Sequence, residues 1–431
     1  MNRQQRSYKV CLIVMKILHT SDWHLDCRLY DRRRADEHQA FLNWLCQTVI
    51  DRKIDVLIVS GDVYDNRTPT LESQQMYNQF LVQLYKDRLS GKSRCRHVII
   101  TAGNHDSAAF LETSKQILQY FNITVVAKEP ELIVVTSAEN GESDDFPALI
   151  AAIPFLSDME LRKSVDGENS AERSQRLMEG IRSVYQTFAQ QAEEKKQELL
   201  QSSPFVPVIA TGHLFTKGAS NLGADGGERD IYVGTLEKFP AGDFPDSFDY
   251  IALGHLHVPQ VVGGQDRIQY SGSPIPVGFG EAKQTKRVVE VQWTVDGQQT
   301  VTSIEIPCFQ QLVQISENEK SVIEQKVTQL VNECKENNQS VWLEVLYRGS
   351  EAPEMFNQKL EDLLANTPVT LFAFKWLSTH EAGISRQHKG ESLRSLDPID
   401  VFQRTLNSCN VPEEDREDLL KMYNEILGQI Q

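Results

Sequence analysis

No apolar run in this 431-residue chain approaches the roughly 20 residues that a membrane-crossing helix needs. The short run near the start, Val10 to Val14 with Met15, is also briefer than most signal-peptide cores, so a cytoplasmic location is expected. Cysteine is scarce and scattered: Cys11, Cys27, Cys46, Cys95, Cys308, Cys334 and Cys409 form no CxxC pair. Their odd number and spacing exclude a disulfide framework and a zinc ribbon. Positive charge is short as well, 44 Lys and Arg against 60 Asp and Glu for a net charge of −16. Such a surface does not coat nucleic acid non-specifically, and any polyanion has to be met locally. Internal repeats and low-complexity tracts are missing. What remains is an ordinary globular composition, 40% hydrophobic and 24% charged, with length for two or three domains at about 150 residues each.

The first two thirds alternate short β-branched runs with helical stretches, the pattern of an α/β domain. Strands are predicted at Lys16–Thr20, Val56–Ser60, Val98–Ala102, Leu149–Ile153, Val206–Thr211 and Tyr250–Leu253. Glu37–Arg52 and Leu71–Lys86 read as amphipathic helices, and Ser170–Leu200 as a long polar helix with a solvated face that interrupts the domain. Beyond residue 300 the order is strand, helix, strand, helix, strand: Leu312–Ser316, Ser321–Asn337, Val341–Tyr347, Pro353–Asn366 and Val369–Trp376. The expected organisation is a possible extension at 1–14, since Met15 opens a natural strand, then a main domain at 15–300, a small α/β capping domain at 301–378, a linker at 379–394 and a helical region at 395–431. In the last helix Leu419, Met422, Tyr423, Ile426, Leu427 and Ile430 form an apolar stripe that packs on its own chain or docks a partner.

Five polar clusters follow the predicted strands: Ser21-Asp22-Trp23-His24, Gly61-Asp62-Val63-Tyr64-Asp65, Gly103-Asn104-His105-Asp106, Gly212-His213 and Gly254-His255-Leu256-His257. Polar residues just past strand ends line the sites of layered α/β folds, and five of the ten histidines sit in these clusters. In extended chain, residues i and i+2 project to one side, so Asp22 with His24 and His255 with His257 can each aim two donors together. Mixed carboxylate, imidazole and amide donors suit an octahedral divalent ion such as Mn²⁺ better than a thiolate zinc site. Asp22, His24, Asp62, Asn104, His213, His255 and His257 are too many ligands for one ion and about right for two that share Asp62. Two ions about 4 Å apart clamp the attacking and leaving oxygens of a phosphoryl displacement and lower the pKa of a bound water.

Read in order, Asp-x-His, Gly-Asp-x-x-Asp, Gly-Asn-His-Asp, Gly-His and Gly-His-x-His resemble the signature of the calcineurin-like metallophosphoesterases. Longer strings at His19–Leu25, Ser60–Asp65, Gly212–Phe215, Arg229–Leu236, Asp249–His257 and Tyr270–Pro276 resemble, within that superfamily, the nuclease subunits of bacterial SbcCD complexes. The resemblance implies a layered β-sandwich flanked by helices. It implies one ion held by Asp22, His24, Asp62 and His257, and a second by Asp62, Asn104, His213 and His255. His105 matches the catalytic histidine, which stabilises the phosphate in flight and protonates the leaving sugar oxygen. The implied activity is Mn²⁺-dependent 3′-to-5′ exonuclease and single-strand or hairpin endonuclease action on DNA, in repair, recombination and replication. The implied partners are DNA and an SbcC-type coiled-coil ATPase docked on residues 395–431, with two nuclease chains forming a homodimer inside a heterotetramer.

Asp26 stands where relatives often carry glycine and reads as a loop residue. Asp65 stands where archaeal relatives place a second histidine, and reads as orienting a neighbouring ligand. Arg28, Arg32, Arg33 and Arg34 fit a DNA-backbone grip and a surface helix start paired with Asp31, Asp36 and Glu37 equally well. Ser271-Gly272-Ser273-Pro274 reads as a tight turn beside the site, and His38 and His97 as structural. The metal set alone also fits a phosphomonoesterase or cyclic-nucleotide phosphodiesterase, and the terminal helices fit a non-catalytic scaffold of an ATPase complex.

Overall fold

Strand segments such as Val56–Ser60 and Ala148–Ala152 are apolar at nearly every position because both of their faces are covered. In the computed structural model, which describes residues 14–136, 146–157, 161, 170–217 and 239–377 with Leu406, Arg416, Leu419, Leu420 and Tyr423, Val56 and Ile58 face one interior. Leu57 and Val59 face another. Residues 1–13 of the 1–14 extension, the string Arg229–Leu236, the linker and most of the 395–431 region, with Met422, Ile426, Leu427 and Ile430, lie outside the described residues, while Val14 already belongs to the first strand.

Two compact units divide the chain, residues 1–309 and 310–431. The first is a sandwich of two six-stranded sheets. One sheet runs, edge to edge, Gln299–Glu305, Arg287–Thr294, Val14–Thr20, Val56–Ser60, His97–Thr101 and Ile123–Val126. The other runs Gln260–Val262, Gln265–Tyr270, Tyr250–Gly254, Val208–His213, Ala148–Ala152 and Glu131–Val135. Ile17, Ile58, Ile99 and Val289 of the first meet Ile150, Ile209, Tyr250 and Ala252 of the second in one apolar layer. His19 enters this layer too, its Nδ1 3.0 Å from the Tyr250 hydroxyl.

Helices close both outer faces. Ala35–Asp51 and Leu71–Leu89 bury Phe41, Leu42, Leu45, Met76, Phe80 and Leu84 against the first sheet. The Thr70 hydroxyl caps the second of these helices by accepting from the Ser73 N–H. Ser170–Leu199 covers the second sheet, which corrects its reading as a solvated interruption. Leu177, Ile181, Tyr185, Ala189 and Ala192 recur every three or four residues and are buried there. The many polar residues between them obscure this narrow stripe in the sequence. The hairpin of Arg287–Thr294 and Gln299–Glu305, absent from the predicted strands, completes the first sheet antiparallel to Val14–Thr20; Asp296-Gly297 at its turn and the alternation in Arg287–Thr294 are its sequence signals.

The second unit is a parallel three-stranded sheet, Gln311–Glu317, Val341–Tyr347 and Val369–Trp376, with helices Lys320–Asn337 and Phe356–Leu364. Ile323, Val327, Val331 and Leu360 pack on Val341, Leu343 and Val345. Among the described residues all five cysteines are free, and no helix is long and apolar enough to cross a membrane.

Candidate metal centre

Val14–Thr20, Val56–Ser60 and His97–Thr101 are parallel neighbours, so the loops that follow them leave the first sheet along one edge. Those loops carry Asp22 and His24, then Asp62, then Asn104 and His105. In the second sheet Val208–His213 and Tyr250–Gly254 are parallel neighbours, and Gly254 lies opposite His213. Main-chain bonds join the loops: Asp22 N–H donates to the Gly61 carbonyl and His24 N–H to the Asp62 carbonyl, each at 3.0 Å. Across the sandwich, His255 N–H donates to Asp22 Oδ1 at 2.9 Å, and His213 Nδ1 lies 3.0 Å from the Ser60 carbonyl.

The donors do not project from extended chain, as i and i+2 spacing implied. Asp22, His24, Asp62 and His255 all have positive φ, at 52°, 45°, 50° and 104°. Each such non-glycine residue costs about 1–3 kcal/mol, strain that persists where surrounding structure over-determines it and that clusters at functional sites. His255 and His257 therefore diverge: His255 reaches Asn104, and His257 reaches His24. Glycine is required where loops touch. A Cβ on Gly103 would collide with the Asp62 carboxylate and main-chain nitrogen, and one on Gly61, itself at φ 84°, with the His213 ring.

All seven predicted ligands come together. Asp22, His24 and His257 offer atoms within 4.8 Å of one another, as do Asp22, Asp62 and His213, and His24, Asp62 and His105. Asp62 Oδ2 lies 3.1 Å from His213 Nε2 and 3.6 Å from His24 Nε2. Asn104 Oδ1 lies 3.0 Å from His213 Nε2 and 3.1 Å from His255 Nδ1. His24 and His257 face each other Nε2 to Nε2 at 3.1 Å. Buried oxygen and nitrogen donors converging at this range fit divalent cations. His105 stands beside them. Its main-chain N–H donates to Asp62 Oδ1, its Nδ1 lies 2.8 Å from the Asp65 carbonyl, and its Nε2 has no hydrogen-bond partner among the described residues.

The electrostatics are those of a crowded, buried site. Burial opposes charge on His24, but Asp65, Asp62 and Asp22 outweigh it and raise its pKa to about 9. For His213, Asp62 and Asp22 overcome burial in the same way, again to about 9. Burial and the neighbouring His213 hold His255 down at about 3. Asp62 is pushed well below the carboxylate range because His213, His24 and His105 outweigh its burial. Burial and the Asp62 charge raise Asp106 to about 7. The Asp106 carboxylate accepts from the main-chain N–H groups of Val63, Tyr64 and Gly103 and thereby staples two ligand loops together.

Asp65 Oδ1 lies 3.4 Å from His24 Nδ1, and Asp26 is a loop residue at φ 81°. Arg34 is buried, paired with Glu37 and donating to the Pro276 carbonyl, so it offers no grip to DNA. Arg28–Leu29 and Arg32–Arg33 form a short hairpin, with Arg33 on Glu72 at 3.0 Å. His38 is buried with Nε2 3.1 Å from the Trp23 carbonyl, and His97 Nε2 accepts from Thr136 N–H. Sequence reasoning passed over Glu281 and Lys286 and gave Ser21 and Ser271 no part in the centre. Ser21 Oγ bridges Asp22 Oδ2 at 2.5 Å and Ser271 Oγ at 2.8 Å. Glu281 is held low, to about 2, because Lys286 and His257 outweigh its burial. The acid and the lysine sit in a loop without strand pattern, so only their charge close to the apolar stretch Ile275–Phe279 hinted at them.

The chain is similar to several known proteins. The profile of the calcineurin-like phosphoesterases matches residues 15–259, and that of the type 5 capsule protein repressor C-terminal domain matches residues 308–410. The SbcD chain of nuclease SbcCD from Escherichia coli (strain K12) is 33% identical over 415 residues, covering 96% of this chain and 98% of that protein. Proteins of the same name from Rhodobacter capsulatus and Bacillus subtilis are 30% and 31% identical, covering 62% and 64% of this chain and 64% and 66% of their own.

Proposed function

Taking as premise that the chain belongs to the calcineurin-like phosphoesterases, and within them to the SbcD nucleases, we propose that it hydrolyses DNA phosphodiester bonds with two divalent cations held by Asp22, His24, Asp62, Asn104, His213, His255 and His257. The observation that carries this reading is the convergence of donors from five strand ends of two sheets into three overlapping groups, two of which share Asp62. When bound, the cations supply positive charge against the phosphodiester and an activated water. Mn²⁺ suits the mixed oxygen and nitrogen donors.

The chain's own residues do the rest. Asp62 lies against both halves of the donor set and couples them. Asp65 steadies His24 through Nδ1 and fixes His105 through its main-chain carbonyl. With Nδ1 anchored, His105 turns Nε2 to the site. In its protonated form it stabilises charge on the phosphate and delivers that proton to the departing sugar oxygen. By analogy with the relatives' designation as components of SbcCD, this chain acts with an SbcC-type ATPase at DNA ends, cutting 3′ to 5′ and opening hairpins, and residues 395–431 form the docking region.

Purified protein with MnCl₂, offered linear duplex DNA and a chromogenic phosphomonoester, tests the reading. Degradation of the DNA is expected. Hydrolysis of the monoester with intact DNA would select the phosphomonoesterase alternative, and inertness toward both would select the scaffold.

A further inference from the structure

The turn Ser271-Gly272-Ser273-Pro274 and the residues Glu281 and Lys286 have no role in the chemistry above, yet they lie against the half of the centre built from Asp22, His24 and His257. Glu281 is 0% exposed and Lys286 5%. Oε1 of Glu281 sits 3.2 Å from Nδ1 of His257. Oε2 accepts from Lys286 Nζ at 2.5 Å and from Val277 N–H at 3.1 Å. The same ammonium donates to the main-chain carbonyl of His257 at 3.0 Å and to Ser273 Oγ at 2.9 Å. Ser273 N–H donates to that carbonyl too. His257 is thus gripped at its main chain and at its ring by one buried ion pair.

This grip has a chemical consequence. A carboxylate whose other oxygen is held by an ammonium can only accept, so the ring nitrogen facing it carries the proton. A neutral imidazole has one N–H, and the nitrogen at the far side then keeps its lone pair. In His257 that far nitrogen is Nε2, the atom 3.1 Å from His24 Nε2. Carboxylates commonly orient ligating histidines in this way.

We propose that Glu281, anchored by Lys286, is a positioning residue that locks His257 in its Nδ1–H tautomer and aims its Nε2 lone pair at the cation site shared with Asp22 and His24. The assignment rests on the two-cation reading above. It also explains the turn at Ser271–Pro274, whose Ser273 takes part in the grip on His257 while Ser271 reaches Asp22 through Ser21.

The test replaces both partners, Glu281→Leu with Lys286→Met, because removing one would strand a buried charge whereas apolar replacement of both is often neutral for stability. Two readouts are used. Nitrogen-15 NMR of histidine-labelled, metal-free wild type is expected to show His257 protonated at Nδ1, and the double variant is expected to lose that preference. Calorimetric titration with MnCl₂ is expected to leave one site of the double variant unchanged and to weaken the other by about 10–100-fold. A wild-type His257 protonated at Nε2, or a double variant that binds both Mn²⁺ ions as wild type does, overturns the proposal. The NMR readout decides on its own if the double variant does not fold. A wild type that takes up fewer than two Mn²⁺ ions overturns the two-cation reading itself, whereas two unchanged sites in the double variant remove only the role of Glu281.

Discussion

Loading the centre with metal is expected to expel protons, chiefly from His24 and His213. His24 and His213 carry pKa values of about 9 in the metal-free protein because buried carboxylates surround them. At pH 7 both are protonated, and a protonated imidazole cannot ligate. Stripping each proton at pH 7 costs about two pKa units, or about 2.7 kcal/mol, so the pair costs about 5 kcal/mol. His255, held at about 3, is already neutral and releases nothing. Overall Mn²⁺ affinity is therefore expected to rise by about two powers of ten per pH unit between pH 7 and pH 8.5 and to level off above about 9. Calorimetry at pH 7 in buffers of different ionisation enthalpy counts the released protons directly. About two protons are expected per fully loaded chain. Uptake of two ions with no proton release would refute the reasoning. The converse holds for stability without metal. Both folded pKa values lie above the unfolded value, so the stabilisation is complete below about pH 6.5 and is lost as pH rises through about 9.

His105→Ala is expected to abolish DNA degradation while elemental analysis still finds the wild-type metal content; loss of metal along with activity would make His105 a ligand instead. Gly103→Ala drives a methyl group into the Asp62 carboxylate and is expected to lower metal stoichiometry below two per chain, which elemental analysis after desalting reads. His38 is buried neutral, with a pKa that burial and the nearby Arg34 hold at about 3. Its folded value lies below the unfolded 6.5, so its stabilisation is complete above that pH and is lost as pH falls toward 3. His38→Gln is expected to shrink the stability lost between pH 7 and pH 5, measured by urea unfolding of metal-free protein, by about 2 kcal/mol; an unchanged loss would place the acid sensitivity elsewhere.

The strand ends and the donors were legible because they are local. A β-branched run closing in Gly-Asp or Gly-Asn-His is a few residues long, and parallel order then brings such ends to one edge. Partnership across the sandwich was not legible. Nothing near His257 in sequence announces that Glu281 and Lys286 will grip it, or near Asp22 that Ser271 will reach it through Ser21. The alternation argument failed at Asp22, His24 and His255 because strained turns, not pleats, aim them. Arg34 pairs with Glu37, as the helix-start reading of that stretch implied, but it does so buried and with a bond to the Pro276 carbonyl that no local pattern announces. The helix Ser170–Leu199 was misjudged because a narrow stripe, Leu177, Ile181, Tyr185, Ala189 and Ala192, suffices to cover a sheet in an otherwise largely polar helix.

An anomalous difference map from crystals soaked in MnCl₂ tests the central claim most directly. Two peaks about 4 Å apart are expected, with the Asp62 carboxylate between them, Asp22, His24 and His257 around one, and Asn104, His213 and His255 around the other. A single peak at saturating Mn²⁺, or peaks away from Asp62, would contradict it.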